Sequence, residues 1–169
     1  MLLRGFAAAI VVAILDQLSK AAILGYFAPG DCSLPQREPI TPFLNLVLTC
    51  NRGMSFGLLN TGSALSVPLF TLAATAIVGL LIFWLSRVQS ELLSIAIGLI
   101  IGGAVGNVID RLHFGGVIDF LYFHAGAWYW PAFNLADAAI CVGVVVMLFD
   151  GFVGRRHGLQ AKQEGDPLP

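Results

Sequence analysis

Four apolar stretches of membrane-crossing length punctuate the chain, at residues 5–26, 64–86, 92–111 and 131–153. Each holds the roughly 20 predominantly apolar residues that a helix needs to cross a bilayer. The second, ALSVPLFTLAATAIVGLLIFWLS from Ala64 to Ser86, carries no charge, and Pro68 falls in its first turn, where a missing N–H is tolerated. In the third, Gly98, Gly102 and Gly106 recur at four-residue spacing and predict a smooth face against which another helix packs closely. Polar segments separate the spans. Residues 27–63 form a loop rich in proline, within which FLNLVLTCN alternates so that Leu44, Leu46 and Leu48 share one face, predicting a half-buried strand at the membrane surface. The following NRGMSFG, with Gly53 and Gly57, predicts a turn and a mobile flap, although Asn51 also suits an ordinary hairpin turn. Residues 112–130 form a second, aromatic hairpin, and residues 155–169 a polar tail expected to be disordered.

The pattern predicts an all-α membrane protein of four transmembrane helices with a small β-containing region outside the membrane, folded as one domain over residues 1–169. Composition agrees, with 57% hydrophobic residues, 11% charged residues and a mean hydropathy of +0.85. Net charge is −1 and the cations are scattered, which gives no reason to expect nucleic acid. Arg4, Arg87, Arg155, Arg156 and Lys162 fall on one side of a four-span protein, so that side is expected to be cytoplasmic, with both termini. The loop and the hairpin then face outward. Trp84, Trp128, Tyr129 and Trp130 read as interfacial anchors.

Against this apolar background the ionisable residues stand out, because a charge within or beside a membrane span is costly and points to function. Asp16 and Lys20 lie four apart in the first span and share a helix face, and the plainest account of them is a structural ion pair supported by Gln17 and Ser19. Asp110 and Arg111 end the third span, Asp119 sits in the hairpin, and Asp137 lies in the early turns of the fourth span. The topology puts Asp119 and Asp137 at one membrane face. Two carboxylates that converge away from water hold a proton between them, and such a pair can activate water with one member and protonate a carbonyl with the other. Asn134 followed three residues later by Asp137 also fits a plain helix N-terminus. H-E-x-x-H does not occur, and histidines beside aromatics, His113 and His124, read as surface anchors, so neither a metal nor a cofactor is expected. Cys32 and Cys50 share the outward loop and can pair in an oxidising compartment, whereas Cys141 reads as a small apolar residue of the fourth span.

Five motifs, D-Q-x-S-K from Asp16 to Lys20, N-R-G-M-S-F from Asn51 to Phe56, G-N-x-x-D-R from Gly106 to Arg111, V-I-D-F from Val117 to Phe120 and F-N-L-A-D from Phe133 to Asp137, carry a resemblance to the bacterial lipoprotein signal peptidases, or signal peptidase II. It covers nearly the whole chain. It implies an aspartic endopeptidase of the bacterial inner membrane, which removes the signal peptide of diacylglyceryl-modified prolipoproteins just before the lipidated cysteine. Asp119 and Asp137 match the catalytic pair, and Asn51, Gly53, Asn107, Arg111 and Asn134 match positions that line the site and hold substrate or globomycin-type inhibitors. Asp110 matches a supporting acid, and Asp16 and Lys20 match a motif with a structural part. Met54 departs from the family, which has a smaller residue there. The implied partners are prolipoprotein and membrane lipid, and a monomer is expected. A catalytically silent lipid-binding protein and a proton-coupled transporter stand as alternatives, the second disfavoured because the second span offers a proton relay no ionisable group.

Overall fold

The computed structural model describes residues 1–27, 36–53 and 65–164, the last twelve of these as helical backbone only. Four helices, α1 (Leu2–Tyr26), α2 (Ser66–Leu85), α3 (Glu91–Phe114) and α4 (Leu135–Glu164), accompany four strands, β1 (Gln36–Thr41), β2 (Leu44–Asn51), β3 (Val117–Ala125) and β4 (Trp128–Tyr129). All four helices are long and apolar enough to cross a membrane. Helix α3 is the central one, with 61% of its most apolar window buried against 22% for α1, 11% for α4 and none for α2. Side chains such as Leu69, Leu72, Leu80 and Phe83 of α2 point outward, which suits a lipid solvent and would be untenable in water.

Small residues make α3 central. A methyl group at Gly98 would collide with the Gly5 carbonyl, and one at Gly102 with the Ala9 carbonyl, so α1 packs backbone to backbone on this face. On the adjoining face Gly103 meets the Ala136 carbonyl of α4, while Gly143 of α4 meets Ala96. The predicted glycine face is thus a packing face, with one addition. Gly106 leaves room for the carboxylate of Asp16, so the end of that face serves a polar cluster as well. Gly106→Ala is expected to destabilise the fold by about 1–3 kcal/mol, read as a lower unfolding temperature in detergent, because Asp16 is pinned by other bonds. An unchanged temperature would mean that the carboxylate is free to move aside.

One end of the bundle carries Arg4 paired with Glu91, and Ser90, which caps α3 through the Leu93 N–H and also donates to Asp150 of α4 at 2.8 Å. The other end carries an antiparallel sheet in the order β1-β2-β3-β4. Leu48 and Ile118 pack with Phe27 there, against Ile23 and Leu24 of α1. The predicted strand is β2, but it is central rather than half-buried. Asn45 and Val47 on its other face are buried too, Asn45 beneath the side chains of Arg37 and His124, and the pairing with β3 shifts register between Leu46 and Thr49. Strand β1 carries no alternating signal and contains Pro39, which is accommodated because β1 is an edge strand with an irregular register at that point.

Three boundaries differ from expectation. Helix α3 continues to Phe114, where Gly115 takes the left-handed conformation that ends it at φ 67°. Helix α4 starts at Leu135 rather than at residue 131, since Phe133 is claimed by the sheet: its N–H and carbonyl both pair with Leu121. Residues 155–164, expected to be disordered, extend α4 to Glu164, as good helix formers with a single glycine let an established helix propagate cheaply. The flap, with Met54 and Gly57, lies outside the described residues, as does Cys32. Cys50 is disulfide-bonded and Cys141 is free.

Candidate active site

At the junction of bundle and sheet, two carboxylates hold the backbone of two separate elements. Asp16 of α1 accepts the Ala136 N–H at 2.9 Å, an otherwise orphaned donor in the first turn of α4. Asp110 of α3 accepts the Ile118 N–H at 3.1 Å at the start of β3. Each bond fixes the residue immediately before a further acid, Asp137 in the first case and Asp119 in the second. Lys20 ties the two anchors together, with its ammonium 2.7 Å from Asp16 and 2.7 Å from Asp110. All three side chains are buried, at 0% exposure for both acids and 2% for Lys20. Gln17 completes the cluster by donating to Asp110 at 2.9 Å, and Ser19 donates to the Asp16 carbonyl at 2.7 Å. The ion pair expected from Asp16 and Lys20 is therefore a triad across α1 and α3, with one cation between two anions.

The triad connects to a row of asparagines. Asn107 accepts from Lys20 at 3.1 Å and donates to Asp137 Oδ1 at 2.9 Å. Asn134 donates through Nδ2 to Asp119 Oδ1 at 2.9 Å and exchanges backbone and side-chain bonds with Asp137, accepting from the Asp137 N–H at 2.9 Å and donating its own N–H to Oδ2 at 3.3 Å. That reciprocal pair is a capping box, so the helix N-terminus reading of these two residues is correct. It also holds Asp137 and Asp119 to the same asparagine. Asn51 donates to the other Asp119 oxygen at 3.1 Å and accepts the Gly53 N–H at 3.0 Å, ordering the chain that leaves β2. Arg111 lies nearby, with its guanidinium donating to the Asn107 carbonyl at 3.3 Å and its charge within electrostatic reach of Asp137, Asp119 and Asp110.

All ten residues singled out in the sequence thus fall in one connected region. Sequence reasoning missed the Ala136 and Ile118 N–H groups and Thr49, whose hydroxyl donates to the Asp119 carbonyl at 3.3 Å. Backbone donors carry no sequence signal, and Thr49 reads as an ordinary strand residue. The histidines have other partners: His113 stands edge-on to Phe114, and His124 neighbours Tyr122. Among the described residues no three His, Cys, Asp or Glu side chains are grouped to hold a metal ion.

Asp119 is 2% exposed, and burial, followed by the charge of Asp137, raises its pKa from 3.8 to about 7 against the opposing hydrogen bonds from Asn51 and Asn134. Near neutral pH this carboxyl can therefore exchange a proton. An apolar cavity of about 300 Å³, lined by Trp130, Phe133, Ala138, Ile140 and Cys141, opens directly beside Asp137. Two acids bonded to one asparagine thus stand beside an apolar cavity at the start of α4.

The chain is similar to known proteins over most of its length. The family described as Signal peptidase (SPase) II matches residues 8–153. A lipoprotein signal peptidase of Burkholderia cenocepacia strain HI2424 is 49% identical over 142 residues, covering 83% of this chain and 82% of its own. One from Burkholderia pseudomallei strain 668 is 46% identical over the same length. Among solved structures, a bacterial membrane enzyme determined by the in meso method at 2.3 Å resolution superposes with a TM-score of 0.71 at 24% identity, over 98% of this chain and 93% of that one. A second, at 1.9 Å, gives 0.67 at 26% identity over 86% and 90%. With a family match spanning nearly all four helices and relatives near half identity over most of their length, the chain belongs to the signal peptidase II family.

Proposed function

We propose that this lipoprotein signal peptidase is an aspartic endopeptidase in which Asp119 and Asp137 cleave a diacylglyceryl-modified prolipoprotein just before its lipidated cysteine. The observation that carries the reading is the bonding of both acids to Asn134, with Asp119 buried enough to keep a proton near neutral pH. In this mechanism the pair holds one proton. Asp137, whose two oxygens both accept hydrogen bonds, takes a proton from a water molecule lying between the acids. The water oxygen attacks the carbonyl carbon of the scissile bond, and Asp119 gives its proton to the carbonyl oxygen. Collapse of the tetrahedral intermediate breaks the C–N bond as the proton on Asp137 passes to the departing amine of the cysteine, and Asp119 recovers its own from the hydroxyl.

The lipid of the substrate enters sideways from the bilayer, and the apolar cavity beside Asp137 is a berth for an acyl chain. Asn51, Gly53, Asn107 and Arg111 line the approach to the acids and would hold substrate or a globomycin-type peptide inhibitor. Asp16, Lys20 and Asp110 keep the two acid-bearing elements in register. Arg4 and Arg87 lie at the bundle end away from the sheet, as does the final part of α4 with Arg155, Arg156 and Lys162, which supports an inner-membrane protein with cytoplasmic termini and a site near the outer face. We take the working unit to be a monomer.

The test is cleavage of a diacylglyceryl-modified prolipoprotein by purified protein beside its unlipidated form, with a chelator in one arm and pH varied throughout. Lipid-dependent, chelator-resistant cleavage is expected, with kcat/KM falling as pH rises through about 7 and Asp119 loses its proton. A chelator-sensitive reaction, or equal cleavage of both forms, would overturn the reading. The same shift acts on stability: the unfolded carboxyl ionises near 3.8 and the folded one near 7, so stability falls as pH rises between those values and is level above them.

A further inference from the structure

A second cavity, of about 410 Å³, opens on the sheet on the far side of Pro131 and Ala132 from the apolar cavity, and these two residues line both. Its walls include Arg37 of β1, Val47 and Thr49 of β2, and Tyr122 and Tyr129. Arg37 stands 5.1 Å from the centre of the Tyr122 ring, which in turn stacks on Tyr129 at 6.2 Å. With its amide oxygen turned to the guanidinium, buried Asn45 accepts from Arg37 Nε at 2.8 Å and from His124 Nε2 at 3.0 Å, so the guanidinium is held from beneath. No carboxylate pairs with Arg37 among the described residues, and neighbouring Glu38, one position along the strand, points to the opposite face. The cavity therefore presents a cation held in place and framed by aromatic rings, with no paired carboxylate among the described residues.

Its place relative to the acids decides what it can receive. Thr49 pairs with Asp119 in the sheet, and Arg37 pairs with Val47, two residues farther along β2 and one strand beyond. At sheet spacings that is about 7 Å along and about 10 Å across, a distance that three or four extended residues span. A peptide bond held at Asp119 and Asp137 has its membrane-embedded signal sequence and lipid on the bilayer side, and the remainder of the protein must leave on the extramembrane side. Resting on the proposed cleavage at the two acids, we infer that the Arg37 cavity receives the first residues of the mature chain after the lipidated cysteine, and that its guanidinium favours acidic side chains there.

The experiment uses full-length protein in phosphatidylcholine vesicles and three diacylglyceryl peptides whose second and third mature residues are both Asp, both Asn or both Lys. The readout is the ratio of kcat/KM values among peptides within each enzyme, so that a general loss of activity cancels. Wild type is expected to prefer Asp over Lys by about three- to tenfold, the modest size reflecting an exposed cation. Arg37→Gln should flatten the ratio and Arg37→Glu should invert it. A wild-type ratio near one, or a preference unchanged in both variants, would overturn the inference while leaving cleavage at the acids standing. Failure of wild type to cut any of the three peptides would remove both. If rates show no substrate-charge preference but respond to added phosphatidylglycerol only when Arg37 is present, the cavity is a headgroup site and the inference is wrong.

Discussion

Asp119→Asn and Asp137→Asn are each expected to lower cleavage of a lipid-modified prolipoprotein by on the order of 10³-fold or more, since each removes one half of an acid and base pair. The fold should survive both changes. Asparagine at 119 keeps one acceptor oxygen, enough for Asn134, and at 137 its oxygen can replace the carboxylate in the capping box, so each variant gives up one hydrogen bond, from Asn51 or from Asn107, at about 1 kcal/mol. Measured side by side, unfolding temperature and kcat/KM should therefore separate: the first nearly constant, the second collapsed. Asp119→Asn should also abolish the decline in stability between pH 3.8 and about 7 that the buried carboxyl imposes. Cleavage within tenfold of wild type by either variant would show that the reaction does not use the pair. Loss of folding in both would point instead to the capping and sheet contacts as the main business of these acids.

Lys20→Met should have the largest effect on stability. The ammonium lies 2.7 Å from each of two fully buried carboxylates, and its removal leaves two negative charges with no cation between them. Removing one partner of a buried ion pair costs about 3–5 kcal/mol. Activity should fall as well, because Asp16 and Asp110 reach the backbone of the residues preceding Asp137 and Asp119. The double variant Lys20→Met with Asp110→Asn lowers the buried charge again and should recover part of the loss, since asparagine can still accept the Ile118 N–H. Such non-additivity in a double-mutant cycle is the signature of direct coupling. Strict additivity, or a Lys20→Met protein as stable as wild type, would mean that the triad is solvated enough for its charges to act alone.

Several features of the site have a bearing on how it is built. The same Asn134 that caps α4 also bonds Asp119 on β3, so the helix start and the strand are registered by a single side chain. The anchoring acids come from two other helices. A small sheet that lacks a core of its own is thereby fixed to the bundle through polar contacts as well as through the apolar packing of Leu48 and Ile118 on α1. Burial of charge near a bilayer is tolerated here because every charged or amide group in the cluster has a partner: among the described residues no buried side-chain nitrogen or oxygen is left unbonded.

By itself the sequence determined the four spans, since about 20 apolar residues in a row have no other use in a chain this short. It also determined which acids are conspicuous, because a carboxylate such as Asp16 is costly among alanines, valines and leucines. The glycine spacing of α3 foretold its packing face, and the leucine alternation foretold β2. Only the tertiary structure decided what lies across from what. That Asp16 serves the Ala136 N–H, 120 residues away, depends on α1 and α4 packing side by side on adjoining faces of α3, and backbone donors leave no trace in residue identity. Strand β1 was illegible because its hydrogen bonds to β2, rather than any alternation of its own, make it a strand. The start of α4 was misplaced by four residues because Phe133 could satisfy its backbone either in a helix or against Leu121, and the neighbouring strand settled that choice. Periodicity is a property of one element, whereas pairing belongs to two.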